Sequence, residues 1–299
     1  MSPSFAPPRV CPACDTPPRR TLRLSNGAWL QQCPRCLLGW WDWPAFDPVA
    51  FYDQTYFQSA DAPKGYDDYA ALEAGLRRTA RGRLRRIAKH WQGGSSGPRR
   101  LLDIGCGTGE FLDEARRQGW EVCGVEVSVY AVEQAHRRGL DVTHGSIDDF
   151  PLATEAYDCV TLWDTIEHVR DPLGVLRAAG RALRPGGILA LSTGDVTSLC
   201  ARLTGPRWHL FNLPEHLYFF SPAALGRLLA RAGCRMTQTT HEVNWLPVAY
   251  LLERLRKSSR GLGWALGQVC RGPVLRAISG SVVPATLGDV IGVYAVRRL

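Results

Sequence analysis

Leu101–Glu110 reads LLDIGCGTGE, an apolar strand-like start that carries Asp103, followed by Gly105, Gly107 and Gly109 alternating with other residues. Glycines at a strand end let the chain turn sharply and bring backbone N–H groups close to a ligand. The spacing G-x-G-x-G is tighter than the G-x-G-x-x-G of dinucleotide sites. Glu126 ends the next strand-like segment, VCGVE, 23 residues after Asp103, where a carboxylate can accept both hydroxyls of a ribose. Asp103 itself would repel a pyrophosphate but would welcome an α-amino group.

Outward from this loop, strand and helix patterns alternate. Glu110–Gln118 predicts a helix closed by Gly119, and a second helix over 128–138 is closed by Gly139. LDVTH and YDCVTLW (157–163) read as strands, and RALRPGGILALST as a helix end, a turn and a fifth strand. SPAALGRLLARAG has Ser221 as N-cap, Pro222 at the first helical position and Gly233 as stop. CRMTQTTHEV and DVIGVYAVRR supply the last two strands. The alternation predicts an α/β fold with a parallel sheet covered by helices on both faces. Between those last strands, 245–285 is too long for an ordinary connection. Its helical pattern places Trp245, Val248, Leu252 and Leu255 on one side with basic residues nearby, which fits contact with a membrane surface, a lid over a substrate cleft, or packing on the core.

Ahead of the sheet, Cys11, Cys14, Cys33 and Cys36 form a C-x2-C-x18-C-x2-C pattern. Two CPxC turns aimed at one point complete a closed tetrahedral zinc site, structural rather than catalytic. The other six of the ten cysteines lie among apolar neighbours and read as core residues. Residues 1–45 are thus expected to be a small zinc ribbon, and 46–98 a connector with a helix over 66–91. On that helix Arg78, Arg81, Arg85 and Lys89 recur at helical spacing, as a binding face or a solvated one. GGSSGPRR (93–100) reads as a hinge before the domain at 99–299.

With 299 residues, 45% of them hydrophobic, the chain can bury an ordinary core. No apolar run reaches the ~18–20 residues of a membrane span, and MSPSFAPPRV lacks the layout of a secretion signal. A cytoplasmic protein is expected, at most peripheral to the inner face of the membrane. The formal charge of +8 is a weak pointer to phosphate, because all but three of the 36 basic residues are arginine, a bias that genome composition also produces.

LLDIGCGTGE, VCGVEVS, HGSIDDFP, YDCVTLWDTIEHVRDP and LRPGGILALST, in that order over about 101–195, resemble the motifs of class I S-adenosylmethionine-dependent methyltransferases. The resemblance implies a Rossmann-like, doubly wound seven-stranded sheet whose last strand is antiparallel. It further implies that Asp103, Gly105, Gly107 and Gly109 hold the methionine part of S-adenosylmethionine and Glu126 its ribose. Ser146 stands where the family often has an acidic residue for the adenine, so that role would pass to Asp148. Trp163 and Asp164 would face the methyl end.

Two Glu-His pairs, Glu167–His168 and Glu215–His216, fall on the carboxyl side of the sheet. Either histidine is a candidate base for taking a hydroxyl proton, or a loop-fixing side chain. WDTIEHVRDP with PEHLYFFSP resembles ubiquinone-pathway O-methyltransferases and their relatives in bacterial glycan and natural-product gene clusters. That likeness implies a small-molecule, sugar or glycan- or lipid-linked hydroxyl acceptor, although ubiquinone-pathway enzymes lack the cysteine ribbon. Two other readings stand beside it: an RNA methyltransferase that grips phosphates with the ribbon and basic helix, and a non-catalytic zinc-ribbon adaptor.

Overall fold

The N-terminal strands β1 (Arg19–Arg23), β2 (Trp29–Gln32) and β3 (Gly39–Trp41) form an antiparallel ribbon. A short helix α1 (Gln54–Phe57) and the long α2 (Glu73–His90) lead into β4 (Arg99–Ile104). Then come α3 (Glu110–Arg117), β5 (Trp120–Glu126), α4 (Val129–Arg137), β6 (Asp141–His144), β7 (Tyr157–Trp163), α5 (Pro172–Ala182) and β8 (Leu183–Gly194). The chain continues through α6 (Leu199–Thr204), β9 (Tyr218–Phe219), α7 (Pro222–Arg231), β10 (Cys234–His241), β11 (Asn244–Pro247), β12 (Val282–Ala285) and β13 (Val290–Arg297). This computed structural model describes residues 7–24, 27–43, 51–57, 70–91, 97–148, 151–251 and 281–298.

The main sheet has the order β10-β13-β8-β7-β4-β5-β6, with β13 antiparallel to both neighbours and β4, β5, β6, β7 and β8 parallel. Strand β4 lies between β5 and β7, covered on both faces, which is why LLDI reads as an apolar run and not as an alternation. Its side chains still divide by parity. Leu102 and Ile104 join the core shared with α5, α7 and the ribbon, while Leu101 joins the core under α2 and α3. Val160 and Leu162 on β7 follow the first face, Cys159 and Trp163 the second. Asp103 therefore faces α2. The chain runs from β4 to one side and from β7 to the other, so the carboxyl ends of these strands open a crevice at a topological switch point.

The expected helix stops hold: Gly119, Gly139 and Gly233, just past α3, α4 and α7, have φ of +83°, +69° and +77°. Ser221 caps α7 as expected by accepting from Ala224 N, and Ser128 and Asp171 cap α4 and α5 by accepting from Ala131 N and Gly174 N, each worth about 1 kcal/mol. Three expectations need correction. Strand β4 begins at Arg99, so Arg99 and Arg100 belong to the sheet and not to a hinge; the rest of that tract, 92–96, lies outside the described residues. Helix α2 begins at Glu73 after a 3-10 turn, Ala70–Leu72, and 66–69 also lie outside. Trp245 is in a strand: β11 pairs antiparallel with β12 and crosses α2 so closely that a Cβ on Gly75 would lie 2.0 Å from the Trp245 carbonyl oxygen. Helical backbone starts only at 248, and residues 252–280 of the amphipathic stretch are not described.

The ribbon does not stand apart. β3 pairs antiparallel with β9, Gly39 against Phe219 and Trp40 against Tyr218, so a strand from the far half of the chain completes its sheet. Trp40, Trp41 and Trp43 share one continuous core with Leu217, Phe219 and Phe220.

Candidate functional site

The glycine loop turns where β4 ends. Gly105, Gly107 and Gly109 have φ of +72°, +55° and +88°, the left-handed region where a side chain is strained. Gly105 is also cramped: a Cβ there would lie 2.5 Å from Thr165 Oγ1. The loop is held by the next strand, since Gly105 N donates to Val125 O (2.8 Å) and Gly107 N to Glu126 Oε2 (2.8 Å). Glu126 Oε1 accepts from Ser128 N at 2.9 Å. Burial pushes the Glu126 carboxyl up, and these backbone donors pull it back. A carboxylate offers about four lone-pair sites, so two N–H donors leave Glu126 able to accept from a diol.

Beside the loop opens a crevice lined by Gly105, Glu126, Ser146, Asp148, Thr165 and His168 together with Ile104, Val125, Ile147 and Tyr52. Five residues expected from the sequence thus meet on one wall. Asp103 is not on that wall; it lies 2% exposed beneath the loop and accepts from Thr161 Oγ1 at 2.6 Å. Burial raises its carboxyl to about 7. Asp148 Oδ2 and Oδ1 accept from Arg170 N (3.3 Å) and Asp171 N (3.4 Å), tying it to the start of α5.

Trp163 and Asp164 lie on the α2 side, around Arg83. The Arg83 guanidinium stands 4.3 Å over the Trp163 ring, with Nη2 3.3 Å from Asp164 Oδ2 and 3.1 Å from Ser192 Oγ. Its Nε donates to Glu242 Oε2 at 3.2 Å, and Arg86 to Glu242 Oε1 at 3.1 Å. The Glu242 side chain has no exposure at all. Removing one partner of a buried pair typically costs about 3–5 kcal/mol, and the retained Arg86–Glu242 bond puts the loss of Arg83 at the low end. Arg83→Met should therefore lower the urea midpoint by that amount of stability, and Arg83→Met with Glu242→Leu should recover much of it. An unchanged midpoint in the single variant would show the network to be inert.

Half of the basic stripe expected on α2, Arg78 and Arg81, is engaged within the protein. Arg81 pairs with Glu114, Arg78 lies 3.5 Å over Trp245, and Arg77 reaches Glu73 and Asp113. Arg85 and Lys89 are exposed.

The two Glu-His pairs, separate in the sequence, meet in space. Leu217 N and Tyr218 N donate to Glu167 O at 2.8 and 3.3 Å, laying the 215–218 segment over 165–168. The His168 and His216 rings meet edge-on at 4.7 Å. His168 Nδ1 is 2.9 Å from Glu215 O, and His216 Nδ1 is 2.9 Å from Leu210 O. A carbonyl only accepts, so the neutral tautomer that makes these bonds carries its proton on Nδ1 and its lone pair on Nε2. Burial pulls His168 down to about 4, which keeps it neutral at pH 7. Burial and the Asp164 charge push Glu167 up to about 8, so it holds its proton there. Glu167, His168 and His216 each place a ligand atom within 4.8 Å of the others.

Tyr52 was missed by sequence reasoning. Its hydroxyl lies 2.9 Å from His168 Nδ1, and with Phe51, Tyr56 and Phe57 it forms an aromatic roof that reaches Tyr130 on α4. The only signal was the aromatic density of FYDQTYF, which does not say where the segment folds back.

The four ribbon cysteines converge as expected. Sγ atoms of Cys11 and Cys36 are 3.4 Å apart, those of Cys14 and Cys33 3.4 Å, and those of Cys14 and Cys36 3.8 Å. Disulfide sulfurs sit near ~2.05 Å, whereas the edge of a tetrahedron with ~2.3 Å zinc–sulfur bonds is about 3.8 Å. The set suits zinc. Thiol donation from Cys11 pulls Cys36 down to about 5. From this ribbon Trp41 Nε1 donates to His216 O at 2.9 Å, and Ser221 Oγ donates to Cys36 O.

A family model described as a methyltransferase domain matches residues 72–239. A ubiquinone biosynthesis O-methyltransferase of Cereibacter sphaeroides is 32% identical over 146 residues, which are 45% of this chain and 59% of that protein. Another, of Chromobacterium violaceum, is 30% identical over 163 residues, 50% of this chain and 70% of that protein. The chain thus spans 59% of the length of the first relative. Among solved structures, the YcgJ protein of Bacillus subtilis has a TM-score of 0.51 at 17% identity, covering 74% of this chain and 99% of its own; that likeness is one of fold.

Proposed function

Since the chain belongs to the class I S-adenosylmethionine-dependent methyltransferases, we propose that it methylates a hydroxyl oxygen of a small-molecule, sugar or glycan- or lipid-linked acceptor. S-adenosylmethionine supplies a methyl group on a positively charged sulfur, and an attacking hydroxyl must give up its proton. The observation that carries the reading is the pair of imidazoles with Nε2 lone pairs, one of them lining the crevice. A base works best with a pKa near the operating pH. His168, held at about 4, is a weak one. His216 is therefore assigned as the base, with His168 and Tyr52 orienting the acceptor.

On this reading Glu126 takes the ribose hydroxyls, Asp103, Gly105, Gly107 and Gly109 the methionine part, and Ser146 with Asp148 the adenine. Trp163 and Asp164 lie toward the methyl end. The buried Trp163 Nε1 has no hydrogen-bond partner among the described residues, as expected of a group that a ligand completes. Cys11, Cys14, Cys33 and Cys36 hold a structural zinc ion. The internal engagement of Arg77, Arg78, Arg81 and Arg83 supports a small acceptor over RNA. No described helix is long and apolar enough to cross a membrane.

Glu126→Ala should weaken S-adenosylmethionine binding about 10–100-fold by calorimetry, since hydrogen bonds to a charged group contribute ~1.5–3 kcal/mol each. Unchanged affinity would take Glu126 out of the pocket. The acceptor class is tested by methyl transfer to phenolic, sugar and RNA substrates, locating the new methyl by mass spectrometry. A methyl found on nitrogen or carbon defeats the O-methyl assignment.

A further inference from the structure

We propose that Cys200, His209 and Asp289 form a second cation site, of the open zinc type, on the carboxyl edge of the sheet. Cys200 lies in α6, His209 follows the 3-10 turn Gly205–Arg207, and Asp289 directly precedes β13. They are brought together because Asp195 N, just past the end of β8, donates to Asp289 O at 2.7 Å. Each offers a ligand atom within 4.8 Å of the other two.

Cys200 is hydrogen-bonded to Asp289, while the His209–Asp289 distance favours an ion over a hydrogen bond. His209 Nδ1 is 3.5 Å from Asp289 Oδ2, beyond the ~2.7–3.2 Å of an N–H···O bond. The edge between nitrogen and oxygen ligands of a tetrahedral ion with ~2.0–2.1 Å bonds is about 3.4 Å. The carboxylate is already aimed: Trp208 Nε1 donates to Asp289 Oδ2 at 2.8 Å, the kind of outer hydrogen bond that orients a metal ligand. The Asp289 side chain is 2% exposed and that of His209 39%, so the cluster has a fixed inner ligand and an open outer side.

The ligand chemistry narrows the ion. A thiolate, an imidazole and a carboxylate suit zinc over magnesium or calcium, which take oxygen ligands. One thiolate and one carboxylate balance a doubly charged cation, and three protein ligands leave a fourth position to solvent or an anionic group. The site lies outside the four-cysteine ribbon and shares no residue with the His168–His216 cluster. Leu210, next to His209, carries the carbonyl that accepts from His216 Nδ1. An ion on His209 would thus anchor the segment leading to His216.

The test is metal content of the full-length protein after zinc loading and exhaustive dialysis. Wild type is compared with Cys200→Ser, His209→Ala and Asp289→Asn, and folding is checked by circular dichroism. Each variant should hold one equivalent of zinc less than wild type. Trp208→Phe should keep the ion but bind it about 10–100-fold more weakly, the usual cost of losing an outer-shell partner. Cobalt loading should give a thiolate charge-transfer band that depends on Cys200. If Cys200→Ser folds poorly, His209→Ala decides, because its partly exposed ring can be removed without opening the core. Equal zinc in wild type and folded His209→Ala would overturn the site and leave the cluster as a staple between α6 and β13.

Discussion

His216→Ala should lower turnover by roughly 10²–10⁴-fold, the usual worth of a positioned general base. Affinity for S-adenosylmethionine should barely change, because His216 is not among the residues that line the crevice. The imidazole is fixed by its Nδ1 bond to Leu210 O, and the His216 backbone N–H donates to Asn212 O, 2.9 Å each. A loop-fixing role would produce a fall too, so the discriminating variant is His216→Asn. It keeps a donor for the Leu210 carbonyl and has no lone pair fit to take a proton. If His216 is the base, the Asn variant is as slow as the Ala variant; recovery to near-normal turnover in His216→Asn would reduce the residue to a staple. His168 would then be next in line, although its burial makes it the weaker base.

Cys33→Ser should remove the ribbon's zinc and slow methyl transfer at least ~10-fold, even though no ribbon cysteine lines the crevice. Structural zinc contributes on the order of 10–16 kcal/mol of apparent binding free energy in small zinc modules, and a ribbon of three short strands has little else to order its turns. Asp15 and Leu37, just after the paired cysteines, have φ of +57° and +62°, a strained backbone that the closed cluster helps to sustain. Losing that order releases the β3–β9 pairing and the Trp41 hydrogen bond to the His216 carbonyl. The signature is a lower kcat with retained S-adenosylmethionine binding and one fewer equivalent of zinc. Trp41→Phe, which keeps a ring in the core and loses only the indole donor, should show a milder fall in kcat with zinc retained. Cys33→Ser with full zinc content and full activity would refute both the metal and the coupling.

The sheet was legible because its signals are local. An apolar run such as LLDI, a cap such as Ser221 with Pro222, and a stop such as Gly139 each act within a few residues. Their strict alternation permits few ways to stack. The same holds for Gly105 and Glu126: a turn that requires positive φ and a carboxylate at a strand end are properties of short segments in a known order. Where the local signal was ambiguous, the reading slipped. NWLPV has both an amphipathic helical spacing and strand-forming residues, and the close crossing of β11 over α2 at Gly75 decided for the strand.

The sequence by itself determined the parallel sheet, the glycine loop, Glu126 beside it and the convergence of four cysteines, and the antiparallel last strand followed from the resemblance to the methyltransferase family. Only the tertiary structure decided that His168 and His216 are neighbours, that Arg83 is buried between Glu242 and Asp164, and that Tyr52 roofs the crevice. It alone decided that the ribbon borrows its fourth strand from the segment after His216. These pairs lie 48, 159, 116 and about 180 residues apart along the chain. A bond between two distant segments leaves no periodicity in either, because which partner satisfies a buried hydrogen bond or charge is settled only when both elements have packed.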